Sequence, residues 1–149
     1  SRSPVRSASA ETSPSVRGAI AIVAHPDLDV DDLSLPELRR IFRGDRTFWD
    51  GGERVVLLVR TPEPDEREIV LPRIYQMEES EFRQFWLNRI FRDAVSTGPK
   101  MVADQETALQ LVAALPGAIS FVPAERVTPE LRVVRVDGKL PGEPGYPLQ

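Results

Sequence analysis

Apolar residues follow two different rhythms along this chain. Nearly continuous apolar runs at residues 19–24, 55–59 and 118–122 have the length and β-branched content of strands buried on both faces. A weaker alternation over residues 131–136 predicts a fourth strand, nearer a sheet edge. Between these runs the spacing turns helical. Leu35, Leu38, Ile41 and Phe42 share one face, and Ser34-Leu35-Pro36-Glu37 forms a capping box with proline in the first turn. Gly44 is its natural stop. A second helix is expected from about Glu66, carrying Ile69, Val70, Ile74 and Tyr75, with Pro72 interrupting it. Ser80 is placed as the cap of a third, with Phe82, Phe85, Trp86, Ile90 and Phe91 as its stripe. Asp104 is placed as the cap of a fourth, which turns Ala108, Leu109, Leu111, Val112 and Leu115 inward.

Turn residues divide these elements. They are His25-Pro26, the two glycines after Phe48-Trp49-Asp50, Pro62 and Pro64, Thr97-Gly98-Pro99, and Pro116-Gly117. Residues 101–103 are expected to add a short strand or bridge, and residues 142–148 to be extended. Strands separated by helices predict an α/β class: one three-layer domain with a mixed, mostly parallel sheet. Residues 1–16 are rich in serine, proline and arginine and bury little. They are expected to be a disordered tail or linker ahead of a domain over 17–149.

Composition narrows the function classes. With 149 residues the chain is one domain in length, and with no cysteine it holds neither disulfides nor thiolate metal sites. Its 19 basic and 23 acidic residues leave a net charge of −4, which argues against a nucleic-acid partner. No apolar run reaches membrane-span length. Residues 1–15 lack the apolar core of a signal peptide, so an exported form would be one with its signal removed.

Candidate chemistry is sparse. Asp27, Asp29 and Asp31 open like a calcium loop, but Asp32 stands where the turn needs glycine and Leu38 where a bidentate glutamate is needed. Solvated carboxylates are expected there. His25, the only histidine, has no serine motif to complete a triad. Neither glycine-rich phosphate loop occurs, and no cofactor is indicated. The aromatics, Phe48 and Trp49 among them, are expected in the core rather than on a base-stacking platform. Arg60 directly follows an apolar strand, at what would be the carboxyl edge of a parallel sheet, where ligands gather. Its alternative is an ion pair with Glu63 or Asp65.

Three segments together resemble one family. They are Leu33-Ser34-Leu35-Pro36-Glu37-Leu38-Arg39-Arg40-Ile41-Phe42-Arg43-Gly44 closing on Trp49, then Leu115-Pro116-Gly117-Ala118-Ile119-Ser120-Phe121-Val122, and Gly145-Tyr146-Pro147-Leu148. In this order they resemble the phosphate-type substrate-binding proteins of ABC transporters, over roughly residues 19–148. The resemblance implies the type II periplasmic-binding fold, a location outside the cytoplasmic membrane, and capture of a phosphate-like oxyanion between two lobes. The chain would correspond to the second lobe, in a short single-lobe member. Arg60, Thr61, Ser34 and Ser120 are the candidate ligand-binding residues. The family's R-x-D-G-S-G-T loop reads Arg60-Thr61-Pro62-Glu63-Pro64-Asp65-Glu66 here, so the arginine alone carries over. Two prolines remove amide donors, and three carboxylates oppose an anion. A non-enzymatic binding domain follows. Its partner is a small oxyanion or, alternatively, another envelope protein or a second copy.

Overall fold

The computed structural model describes residues 18–92 and 100–149, with the side chains of 89–92 left aside. The expected tail over 1–16, the Thr97-Gly98-Pro99 break and the inward positions of Ile90 and Phe91 lie outside the described residues.

Six strands form one sheet in the order β2-β6-β1-β5-β3-β4. They are β1 (Ile20–Ala24), β2 (Asp32–Leu33), β3 (Val56–Val59), β4 (Lys100–Met101), β5 (Ala118–Pro123) and β6 (Arg132–Val136). β1 runs antiparallel to both of its neighbours, β5 and β6. The pairs β2–β6, β3–β5 and β3–β4 are parallel. Five strands therefore point one way and β1 alone points the other. Its uninterrupted apolar run reports burial on both faces and does not encode strand direction. β6 lies one place in from the margin, because the two-residue β2 covers it.

Helices cover both faces. On one side lie α1 (Leu35–Phe42), α2 (Arg67–Ile69), a π-helical stretch Val70–Tyr75 that continues it, and α3 (Glu79–Arg92). They pack Leu38, Ile41, Phe42, Val70, Ile74, Tyr75, Phe82 and Trp86 against Ile20, Ile22, Leu57, Val59, Ile119 and Phe121 of the sheet. On the other side α4 (Gln105–Ala114) sets Val112 against Val23, Leu58, Ala118 and Val122. The strand residues divide by parity, as a two-sided sheet requires.

Local chemistry explains the element boundaries. Ser34 caps α1 in a full capping box with Glu37, and Gly44 stops it at φ 80°. Asp104 caps α4 through the Thr107 amide. Pro72 has no amide to donate, and the helix widens around it into the π stretch. Ser80 is not a cap: α3 begins at Glu79 and places Ser80 in its first turn, while the Glu81 carboxylate accepts the Glu78 amide. Residues 142–148 are turns rather than an extended tail, with Tyr146 and Leu148 buried and the Leu148 carbonyl accepting the Ile20 amide. Phe48 leaves the expected core. It is half exposed, in a hairpin where the Arg54 guanidinium lies 4.9 Å from its ring. Trp49 in the same hairpin is buried and donates its indole N–H to the Gly117 carbonyl at 3.0 Å. Gly117 has φ +82°, and a Cβ there would sit 2.3 Å from the Arg54 carbonyl oxygen, so only glycine fits.

Candidate functional site

The carboxyl ends of β2, β3, β4, β5 and β6 share one edge of the sheet, opposite the end of β1. Arg60 leaves the end of β3 on this edge, as its position in the sequence implies. Its side chain does not reach into solvent: the residue is 1% exposed. Its guanidinium grips Glu66 with both ends, Nη1 donating to Oε2 at 3.0 Å and Nη2 to Oε1 at 2.7 Å. Nη1 also donates to the Phe121 carbonyl at 3.1 Å, and the guanidinium carbon lies 4.7 Å from the Phe121 ring centre. Glu66 is equally buried and accepts the Glu63 amide at 2.8 Å. A carboxylate held by two guanidinium N–H bonds and one amide occupies the geometry an oxyanion would take.

The proline loop explains this arrangement. Pro62 and Pro64 bar residues 61–65 from a ladder and turn the chain. The Glu66 and Arg67 amides donate to the Glu63 carbonyl, which turns the Glu66 side chain back beneath the strand end. Of the acids near Arg60 in sequence, Glu63 reaches only 3.9 Å from Nη2, and Glu66 is the partner. Spacing alone gave no signal for a contact six residues away across a loop.

Thr61 is exposed at the rim of the same edge. Ser34 lies on that edge too, but follows β2, four strand positions from β3 or about 19 Å at ordinary strand spacing. Its hydroxyl is committed to the α1 cap. Ser120 is fully buried on the α4 face and donates to the Leu58 carbonyl at 3.0 Å. The fold thus brings Arg60 and Thr61 together and leaves Ser34 and Ser120 elsewhere.

The N-termini of α1 and α4 face the edge, and in each a carboxylate accepts one backbone amide. Glu37 is held below its ordinary pKa, chiefly by the Ser34 amide. Asp104 is held low chiefly by the Thr107 amide, with the Arg60 charge adding to the effect. Arg60 also acts on Tyr75, whose hydroxyl is driven above the ordinary tyrosine range by burial and only partly drawn back by that charge. The Tyr75 ring packs edge-on against Phe82 and Trp86, with centroids 4.7 and 6.3 Å away.

Outside this edge, His25 lies at the opposite one, its Nδ1 accepting the Asp27 amide at 3.1 Å. The acidic loop is dispersed. Asp31 pairs with Arg132, Asp32 accepts the Gly138 amide, and no cluster among the described residues has the donor set of a metal site. No helix of the described residues is long and apolar enough to cross a membrane.

No family model matches the chain, and no curated protein matches it. Solved structures do. A structure from Clostridium perfringens, described as a phosphate ABC transporter substrate-binding protein with bound phosphate, superposes at TM-score 0.63 and 20% identity, over 84% of this chain and 49% of that one. An ABC-type phosphate transport receptor from Vibrio cholerae gives 0.61 and 15%, over 83% and 48%. The high-affinity periplasmic phosphate-binding protein PfluDING, bound with phosphate, gives 0.54 and 19%, over 81% and 37%. The chain has the fold of phosphate-binding-protein lobes. It spans about half the length of the first structures it matches, and likeness at this identity establishes the fold alone.

Proposed function

We propose that the chain is a non-enzymatic binding domain that keeps the scaffold of ABC-transporter phosphate-binding proteins and has filled its own oxyanion position. The observation that carries this reading is the buried two-pronged bond between Arg60 and Glu66. A phosphate entering there must displace a carboxylate already held by three hydrogen bonds. It must also do so beside Glu63, in a loop two amides short. The capped N-termini of α1 and α4 support the same reading, since in each a side-chain oxygen of the chain itself already accepts a first-turn amide and a carboxylate adds negative charge. On this reading the domain works by contact with a protein partner, another envelope protein or a second copy, outside the cytoplasmic membrane. The periplasmic phosphate-binding neighbour supports that location.

Calorimetric titration with phosphate and sulfate tests the proposal. The native chain is expected to give no saturable heat at millimolar anion, whereas Glu66→Gly, with the guanidinium uncovered, is expected to gain binding. Saturable phosphate binding by the native chain that Arg60→Ala abolishes would restore the oxyanion reading. The phosphate held in the neighbouring structures favours that second reading.

A further inference from the structure

A hollow of about 360 Å³ opens beside the filled anion position, lined by Thr61, Phe82, Arg83, Trp86, Leu87 and Met101. Its wall is almost wholly hydrocarbon and aromatic. Leu87 and Met101, 57% and 48% exposed, are two of the three large apolar side chains that the described surface leaves open. Both belong to this one patch. It lies between the outer face of α3 and β4, and β4 has a single strand neighbour in the sheet. The volume lies within the range of small-molecule sites.

The polar groups around it have one character. Arg83 stands at the rim with its side chain 66% exposed. Its ion-pair contact is a loose 3.9 Å approach to Glu79, a carboxylate that Arg67 approaches more closely at 3.5 Å. Trp86 is 2% exposed, and its indole N–H has no acceptor among the described residues. Thr61 contributes a hydroxyl to the lining. Among the described residues that line the hollow, the Arg83 guanidinium and the Thr61 hydroxyl can donate, and none carries negative charge.

We propose that this hollow binds a small apolar carboxylate, its hydrocarbon body against Trp86, Leu87 and Met101 and its carboxylate at the Arg83 guanidinium. An aliphatic body matches the apolar wall, and a single negative charge matches Arg83, the one cation among the described lining residues. A multiply charged anion such as phosphate has no counterpart for its remaining oxygens. The site is separate from the Arg60–Glu66 pair, so it stands or falls independently of phosphate binding there.

The test uses octanoate as probe, read by calorimetry and by Trp86 emission, with Trp49→Phe removing the other indole. Saturable octanoate binding is expected, with octanol about tenfold weaker for want of the charged contact. Each methylene removed from the acid should weaken it about fourfold. Arg83→Gln should bring octanoate down to the level of octanol and leave octanol unchanged. Met101→Asp, at an exposed position that threatens folding little, should abolish both. Octanoate giving no saturable signal at millimolar concentration overturns the proposal. So does binding that is indifferent to Arg83→Gln and no tighter than octanol, which would mark a plain apolar patch. Self-association that Met101→Asp removes and octanoate leaves untouched would assign the patch to a second copy instead.

Discussion

The chain solves one problem twice on the same edge of its sheet, by different means. After β2, the strand end passes into α1 through the Ser34–Glu37 box, in contact with solvent. Arg46 adds a pair to Asp50 at 2.6 Å and a looser one to Glu37 at 3.6 Å. After β3, the strand end passes into α2 through Arg60 and Glu66, both 1% exposed. The bonds look alike, but their surroundings set their weight. In the first set water reaches both carboxylates, with the Asp50 side chain fully exposed and that of Glu37 half exposed, so losing one of them strands no fully buried charge. The second set has no water to fall back on, so losing one partner strands a buried charge.

That contrast can be broken from its heavier side first. Glu66→Leu should destabilise by about 3–5 kcal/mol, because Arg60 keeps its charge without its carboxylate. The double variant Arg60→Met/Glu66→Leu should recover most of that loss, measured as urea midpoints at constant m-value. Failure of the double variant to recover would mean that the pair fixes the loop rather than balancing two charges.

The next effect is alkaline. The chain has two tyrosines, Tyr75 and Tyr146, and burial raises the pKa of both hydroxyls. A raised folded pKa gives stability that is present below the unfolded value near 10 and is lost as pH rises through it, by about 1.4 kcal/mol per pH unit per tyrosine. Phenolate absorbance should therefore appear only together with unfolding. Phenolate formation in the folded protein would show that water reaches the ring cluster beside Arg60.

On the lighter side, Ser34→Ala should cost about 1 kcal/mol as a lost helix cap. Arg46→Ala should cost less than about 1 kcal/mol, and the small effect should shrink further in salt. Both are read by thermal denaturation. An Arg46→Ala loss as large as that of Glu66→Leu would erase the distinction between the two strand ends.

Much of the scaffold was legible in the residues. The apolar runs found the long strands, and Ser34-x-x-Glu37 and Asp104 found two helix starts, because a cap is a local bargain between neighbouring residues. Ser80 misled because α3 begins one residue before it, where the Glu81 carboxylate accepts the Glu78 amide. Strand direction was not legible for β1, since a fully buried strand looks the same either way round. Arg60 was recognised by its place at a strand end, while Glu66 was not recognised as its partner. That contact depends on how two prolines turn the loop, which is a matter of path rather than pattern. Phe48 shows the limit of counting aromatics as core, for its neighbour Trp49 is the buried one.

The antiparallel placement of β1 also sets an order of events. Its register partners lie at residues 119–123 and 132–134, about a hundred positions downstream, and the carbonyl of Ile20 receives the Tyr146 hydroxyl. This inner strand of the sheet therefore waits for its neighbours until residues about a hundred positions downstream have been made. A nascent chain emerging from the ribosome can form α1 early but cannot close the domain. Such long-range pairing slows folding and lengthens the time for which the apolar strand stands exposed. A domain built this way stays threadable through a narrow channel until β5 and β6 have arrived.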